Sequence, residues 1–202
     1  MLGCNCIPTG RLENVARLKT LTAEELTPQQ KKLLDDIAQS PRKAPMTGGP
    51  SLAWLRNPEA GQLAQQMGVF CRFKTGLTND VLEIVICTVA RHWSQPYEWG
   101  AHKKHALRVG VDPAILDAIE DRRRPTFASE QQAAAHDLAK ELLETKVVSQ
   151  PTYERARALF GEKTLVDLTQ VIGYYTNIAL QMNCFEVVPA DRTGMLKNPA
   201  VR

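Results

Sequence analysis

Asp80-Val81-Leu82-Glu83-Ile84-Val85-Ile86-Cys87-Thr88-Val89-Ala90-Arg91-His92-Trp93 and, after a short break, Gln95-Pro96-Tyr97-Glu98-Trp99-Gly100-Ala101-His102-Lys103-Lys104-His105-Ala106 decide how this chain reads. The first half is apolar nearly all round and lacks period-two alternation. It is also longer than a typical strand, so it reads as a buried helix despite its β-branched residues. Glu83 interrupts that run, and an ionised carboxylate buried without a partner is strongly disfavoured. Glu83 therefore either faces solvent or meets a partner. In the second half Glu98, His102 and His105 fall at i, i+4 and i+7, one helix face. The two halves predict a helical hairpin with an acid/base site between its arms. The alternative is a buried polar pair that holds two helices in register.

Working outward, the punctuation is that of an all-α domain. Thr27-Pro28 caps a helix carrying Leu33, Leu34 and Ile37. Residues 40–50, rich in Gly and Pro, read as a loop that either covers a cleft or merely links. Asn57-Pro58 opens a helix to about Phe73, and Thr78 or Asn79 caps the central one. Gly110 ends the second arm of the hairpin. Asp112-Pro113 starts a short helix, and Ser129-x-x-Gln132 has the form of a capping box. A helix from Gln150 ends at Phe160-Gly161, and a last one runs from Thr164 to about Met182. Residues 1–20 read as an arm, 21–188 as one domain and 189–202 as a tail. Short connections imply antiparallel neighbours.

The 202 residues are 44% hydrophobic and 23% charged, with net charge +3, ordinary values for a globular chain with a sizeable core. The charge is too small and too scattered to indicate a nucleic-acid partner. No stretch has the length to span a membrane and no signal peptide is evident, so a reducing cytoplasm is the expected compartment. The five cysteines match no zinc or disulfide framework. Cys71, Cys87 and Cys184 read as small core residues, and Cys4-x-Cys6 as part of an unstructured terminus. His92 and His136 read as surface or structural.

An imidazole with an unperturbed pKa of about 6.5 suits proton transfer near neutrality, which singles out His102, with Glu83 or Glu98 to fix its tautomer. Arg91 is a candidate clamp for a substrate carboxylate, or else one half of a surface ion pair. Tyr97 and Trp99 either line a pocket or belong to the core. Glu98, His102 and His105 share a face, but lack both the second Glu-x-x-His of a di-iron bundle and the His-Glu-x-x-His order of zinc proteases. No metal is therefore expected.

Glu83-Ile84-Val85-Ile86-Cys87-Thr88-Val89-Ala90-Arg91, then Tyr97-Glu98-Trp99-x-x-His102 and Gly110-Val111, resemble the carboxymuconolactone decarboxylase family over about residues 50–188. The resemblance implies the AhpD-like all-α fold and a cofactor-free lyase acting on a small carboxylated lactone or related unsaturated acid. Glu83, Glu98 and His102 would be catalytic, and Arg91, Tyr97, Trp99 and His105 would bind substrate. It also implies a homo-oligomer, a trimer or hexamer, with which exposed Tyr174 and Tyr175 would be compatible. The related alkylhydroperoxidases carry a Cys-x-x-Cys four residues before the histidine. Here those positions are Gln95 and Glu98, which disfavours a thiol peroxidase. A third reading is a non-catalytic binding protein with Glu83–His102 as a structural lock.

Overall fold

A computed structural model describes residues 16–43, 48–189 and 196–200. Cys4-x-Cys6, most of the arm, positions 44–47 of the Gly/Pro loop and most of the tail lie outside the described residues. Within them the chain is all-helical, with no strand. The helices are α1 (Pro28–Gln39), α2 (Ser51–Trp54), α3 (Pro58–Phe73), α4 (Asn79–His92), α5 (Pro96–Arg108), α6 (Pro113–Glu120), α7 (Glu130–Thr145) and α8 (Gln150–Cys184). None of them is long and apolar enough to cross a membrane.

The apolar run of α4 is buried from Val81 to Arg91 without interruption, because α5, α6, α7 and α8 all pack on it. A helix apolar all round has no face to give to water, so it becomes the axis of the fold. One core cluster joins α4 to α7 and α8 through Val85, Val89, Leu138, Leu168 and Ile172. A second, built on Ile84, Cys87, Trp99, Leu116 and Ile119, seals α4 against α5 and α6.

Local chemistry sets the helix ends. Thr27 and Gln30 form a reciprocal capping box on α1, and the Asp112 and Ser129 side chains accept from Ala114 N and Gln132 N. Gln95 caps α5, its Oε1 accepting from Tyr97 N and Glu98 N while its amide donates to Val187 O. α8 contains the expected break: Gly161 sits at φ 72°, ψ 166°, a conformation that favours glycine, and the helix resumes beyond it.

The sequence reading missed the single turn α2. The segments near the termini also pack more than an arm and a tail would. Arg17 N donates to Phe185 O, Leu196 is buried in the second cluster, and Ala200 N donates to Ser94 O. Leu196 and the carbonyl of Ser94 supply the apolar contact and the acceptor that hold residues 196–200.

Candidate functional site

The hairpin of α4 and α5 brings Glu83 and His102 together, 19 positions apart in the chain. Glu83 is 2% exposed, and its Oε2 lies 2.7 Å from His102 Nδ1. A carboxylate only accepts, so Nδ1 carries the proton and donates to Glu83. This leaves Nε2 of the neutral ring with its lone pair and no protein partner among the described residues. Arg72 from α3 completes the cluster. Its Nη2 stands 3.1 Å from Glu83 Oε1, and its Nη1 is 3.3 Å from the His102 ring.

Electrostatics divide the roles. Burial alone would raise the Glu83 carboxyl, but the His102 hydrogen bond and the Arg72 charge overcome it and hold Glu83 below its ordinary value. Burial lowers His102, and Glu83 only partly restores it while Arg72 and Arg42 oppose its protonation. The cluster is thus an ionised Glu83 paired with Arg72 and a neutral His102, a base rather than an acid at rest.

His102 opens on a cavity of about 280 Å³. Arg42 and Pro50, either side of the Gly/Pro loop, form part of its wall, with Tyr97, Glu98 and His105 of α5 and Tyr174 and Tyr175 of α8. The described ends of that loop therefore border the site. Gly49, at φ +62°, lies against Tyr97, and a Cβ there would strike the tyrosine ring. Arg42 Nη2 donates to the Tyr174 hydroxyl at 3.3 Å, and both atoms rest on Gly68 of α3, where a Cβ would collide with each. Arg42 Nε is shielded from solvent and has no partner among the described residues. The Tyr175 ring stands edge-on to His102 at 5.0 Å. Burial pushes the Tyr174 hydroxyl up to about 12.

Glu98 is 2% exposed, and neither of its oxygens meets a partner among the described residues. Burial, with nothing to offset it, raises its carboxyl well above the ordinary value. Glu98 is therefore a neutral acid beside a neutral base.

Two of the substrate-binding candidates lie elsewhere. Arg91 faces away from this cavity: its Nε donates to Glu120 O at 2.6 Å and its Nη1 to Ser94 Oγ at 2.9 Å. It is on the far end of α4, where it ties the hairpin turn to the end of α6. Trp99 is fully buried in the second core cluster and Lys103 lies over its ring, so it packs the hairpin and does not line the cavity. Tyr174 and Tyr175 are buried, not exposed, because their face of α8 closes on α3, α4 and α5. Cys184 is exposed, as the last residue of α8, whereas Cys71 and Cys87 are buried with burial raising both thiols. Sequence reasoning missed Arg42 and Arg72. Arg72 carried a usable signal, a charge interrupting the apolar run Val69-Phe70-Cys71-Arg72-Phe73, the same signal that exposed Glu83. Among the described residues no group of three or more His, Cys, Asp and Glu converges as metal ligands would.

No family model matches the chain, and no curated protein does. Solved structures do. A protein from Ralstonia eutropha JMP134, described as an alkylhydroperoxidase AhpD core and uncharacterized peroxidase-related protein, superposes with a TM-score of 0.71 at 16% identity, covering 91% of this chain and 97% of its own. An uncharacterized peroxidase-related protein from Silicibacter sp. TM1040 gives 0.73 at 16%, covering 94% and 100%. The debrominase Bmp8 gives 0.67 at 11%, covering 87% and 93%. At these identities the likeness is one of fold, and over nearly its whole length this chain has the AhpD-like all-α fold.

Proposed function

We propose that the chain is a cofactor-free acid/base enzyme of the carboxy-lyase kind, acting on a small carboxylated lactone or related unsaturated acid. The observation that carries this reading is the buried Glu83–His102 hydrogen bond of 2.7 Å beside a cavity whose wall includes Arg42 and Arg72. The cavity suits a small anion. Among the described residues Arg42 Nε has no partner, leaving donor capacity of the kind an anchor for a carboxylate needs. This role passes from Arg91, which does not line the cavity, to Arg42.

In the reaction the bond to the carboxylate carbon breaks, carbon dioxide leaves, and the electron pair passes into a dienolate. The carbon then takes a proton, so each turnover consumes one proton from water. His102 Nε2 collects that proton and delivers it. Glu83 stabilises the imidazolium while it exists and fixes the ring. Pro50, Tyr97 and the tyrosines of α8 line the cavity with apolar surface, which lowers the local dielectric and strengthens these charges. The thiol route has less support: Gln95 serves as a helix cap, Glu98 stands at the other position, and the raised thiols of Cys71 and Cys87 are poor nucleophiles.

The same reading extends to assembly as a homo-oligomer. Leu63, Met67 and Phe73 of α3 are exposed apolar residues, and Phe73 also lines the cavity, so a subunit contact there would sit beside the site.

A thermal-shift titration with small carboxylated lactones and unsaturated diacids tests the reading, since a ligand bound only by the folded protein raises the melting temperature. The expected result is stabilisation of wild type that is lost in His102→Ala and in Arg42→Ala. Stabilisation by none of the acids would overturn it.

A further inference from the structure

Among the described residues, Glu98 is the buried carboxyl of the cavity wall to which the Glu83–His102 pair gives no role. It sits one helical turn before His102 on the same face of α5. The charged groups around the cavity do not serve it: Arg72 is engaged by Glu83, and Arg42 makes no hydrogen bond to either Glu98 oxygen. Cys87 of α4 and Tyr174 of α8 are the titratable groups that feel it from the neighbouring helices, and burial keeps both of them neutral. Tyr97 and His102 are its neighbours on α5. A carboxyl with both oxygens shielded and unpartnered holds its proton, and its O–H is then a donor awaiting an acceptor.

We propose that Glu98 donates its O–H to the carbonyl oxygen of a small 2-oxo carboxylate while His102 Nε2 takes the proton from the adjacent carbon, so that the cavity enolises such acids. The step balances within the site. The C–H bond breaks and its proton goes to Nε2, the electron pair forms C=C, and the carbonyl oxygen takes the Glu98 proton. The products are enol, imidazolium and carboxylate. Reversal, after the imidazolium exchanges with solvent, returns a solvent hydrogen to carbon. Arg42 holds the carboxylate of the acid. The inference rests on the acid/base reading of the cavity and adds to it a donor where enolate charge develops, the place where such groups have most effect.

The test uses the full chain with pyruvate and 2-oxobutyrate in deuterated water, following loss of the C3 proton signal by NMR. Wild type is expected to exchange these protons above the buffer rate. Glu98→Gln, the same shape without an acidic proton, should fall by about 100-fold, and His102→Gln should fall likewise. No exchange by wild type, or exchange within threefold of wild type in Glu98→Gln, overturns the proposal. A second measurement needs no turnover. Glu98 raised in the folded state favours folding below the ordinary carboxylate value, and that advantage is lost as pH rises toward its folded value. The folding equilibrium of Glu98→Gln should therefore gain on wild type by up to roughly tenfold per pH unit as pH rises from the ordinary carboxylate value toward the folded one. A difference flat with pH would mean an ionised Glu98 and overturn the donor role. Lactone decarboxylation that depends on His102, beside a flat difference, would leave the lyase reading standing and remove this inference alone.

Discussion

α4 carries a buried polar cluster toward each end, and the two differ in what they leave unused. At the far end Arg91 is satisfied by the Glu120 carbonyl and the Ser94 hydroxyl, neutral groups that need its hydrogen bonds as much as it needs theirs. At the near end Arg72, Glu83 and His102 satisfy one another only in part. Around them His102 Nε2, Arg42 Nε and both Glu98 oxygens face no protein partner among the described residues. A structural cluster closes its accounts within the protein, whereas a site keeps donors and acceptors in reserve for a ligand.

The largest effect should come from breaking the near cluster. Glu83→Ala leaves Arg72 buried without its anion, and the expected loss is about 3–5 kcal/mol of folding stability, together with activity. Chemical denaturation measures the first. A variant as stable as wild type would mean that Arg72 has another counter-charge.

At the far end Arg91→Met should lose about 1.5–3 kcal/mol, the worth of hydrogen bonds from a charged donor, and leave ligand-induced thermal shifts unchanged. Loss of ligand response in that variant would erase the contrast between the two ends.

A third expectation concerns pH. His102 is lowered by burial, so the folded state disfavours its protonation, and this contribution is present above the ordinary histidine value of 6.5 and lost as pH falls below it. Wild type should lose up to about 1.4 kcal/mol per pH unit relative to His102→Gln as pH drops from 6.5 toward the folded value. Parallel curves for the two proteins would contradict a neutral, buried His102.

The smallest change in stability belongs to Gly68→Ala. Alanine favours the helix by about 0.5–1 kcal/mol, while the added Cβ displaces Arg42 and the Tyr174 hydroxyl. The fold should hold, and the shift produced by a small carboxylate should shrink. An unchanged shift would take Arg42 out of anion binding.

The near cluster was legible in part because one physical signal exposed it: Glu83 is a charge placed inside an apolar run, and charges in such places need partners. His102 followed from spacing on α5. The helix ends at Thr27, Asp112, Ser129 and Gly161 were readable because caps and positive-φ positions are local chemistry. Arg42 was not readable, because its contacts with Gly68 and Tyr174 join segments far apart in the chain, a long-range packing outcome. The tyrosines were misjudged for a related reason. The apolar stripe of α8 shows that one face is buried, but not that the neighbouring Tyr174 is buried too, against Gly68 of α3 and Arg42. Arg91 misled because residue type and proximity to the motif cannot tell which end of a helix opens on a cavity.

The central claim is that His102 is a working base and not a strut. Its most direct test is carbon dioxide release from a panel of small carboxylated lactones and unsaturated diacids, measured for wild type, His102→Ala and His102→Gln, with a melting curve for each. The account predicts release by wild type and a loss of at least about 100-fold in both variants while they remain folded. Release that persists unchanged in a folded variant, or the absence of release by wild type together with variants that melt far lower, would make the Glu83–His102 pair a structural lock.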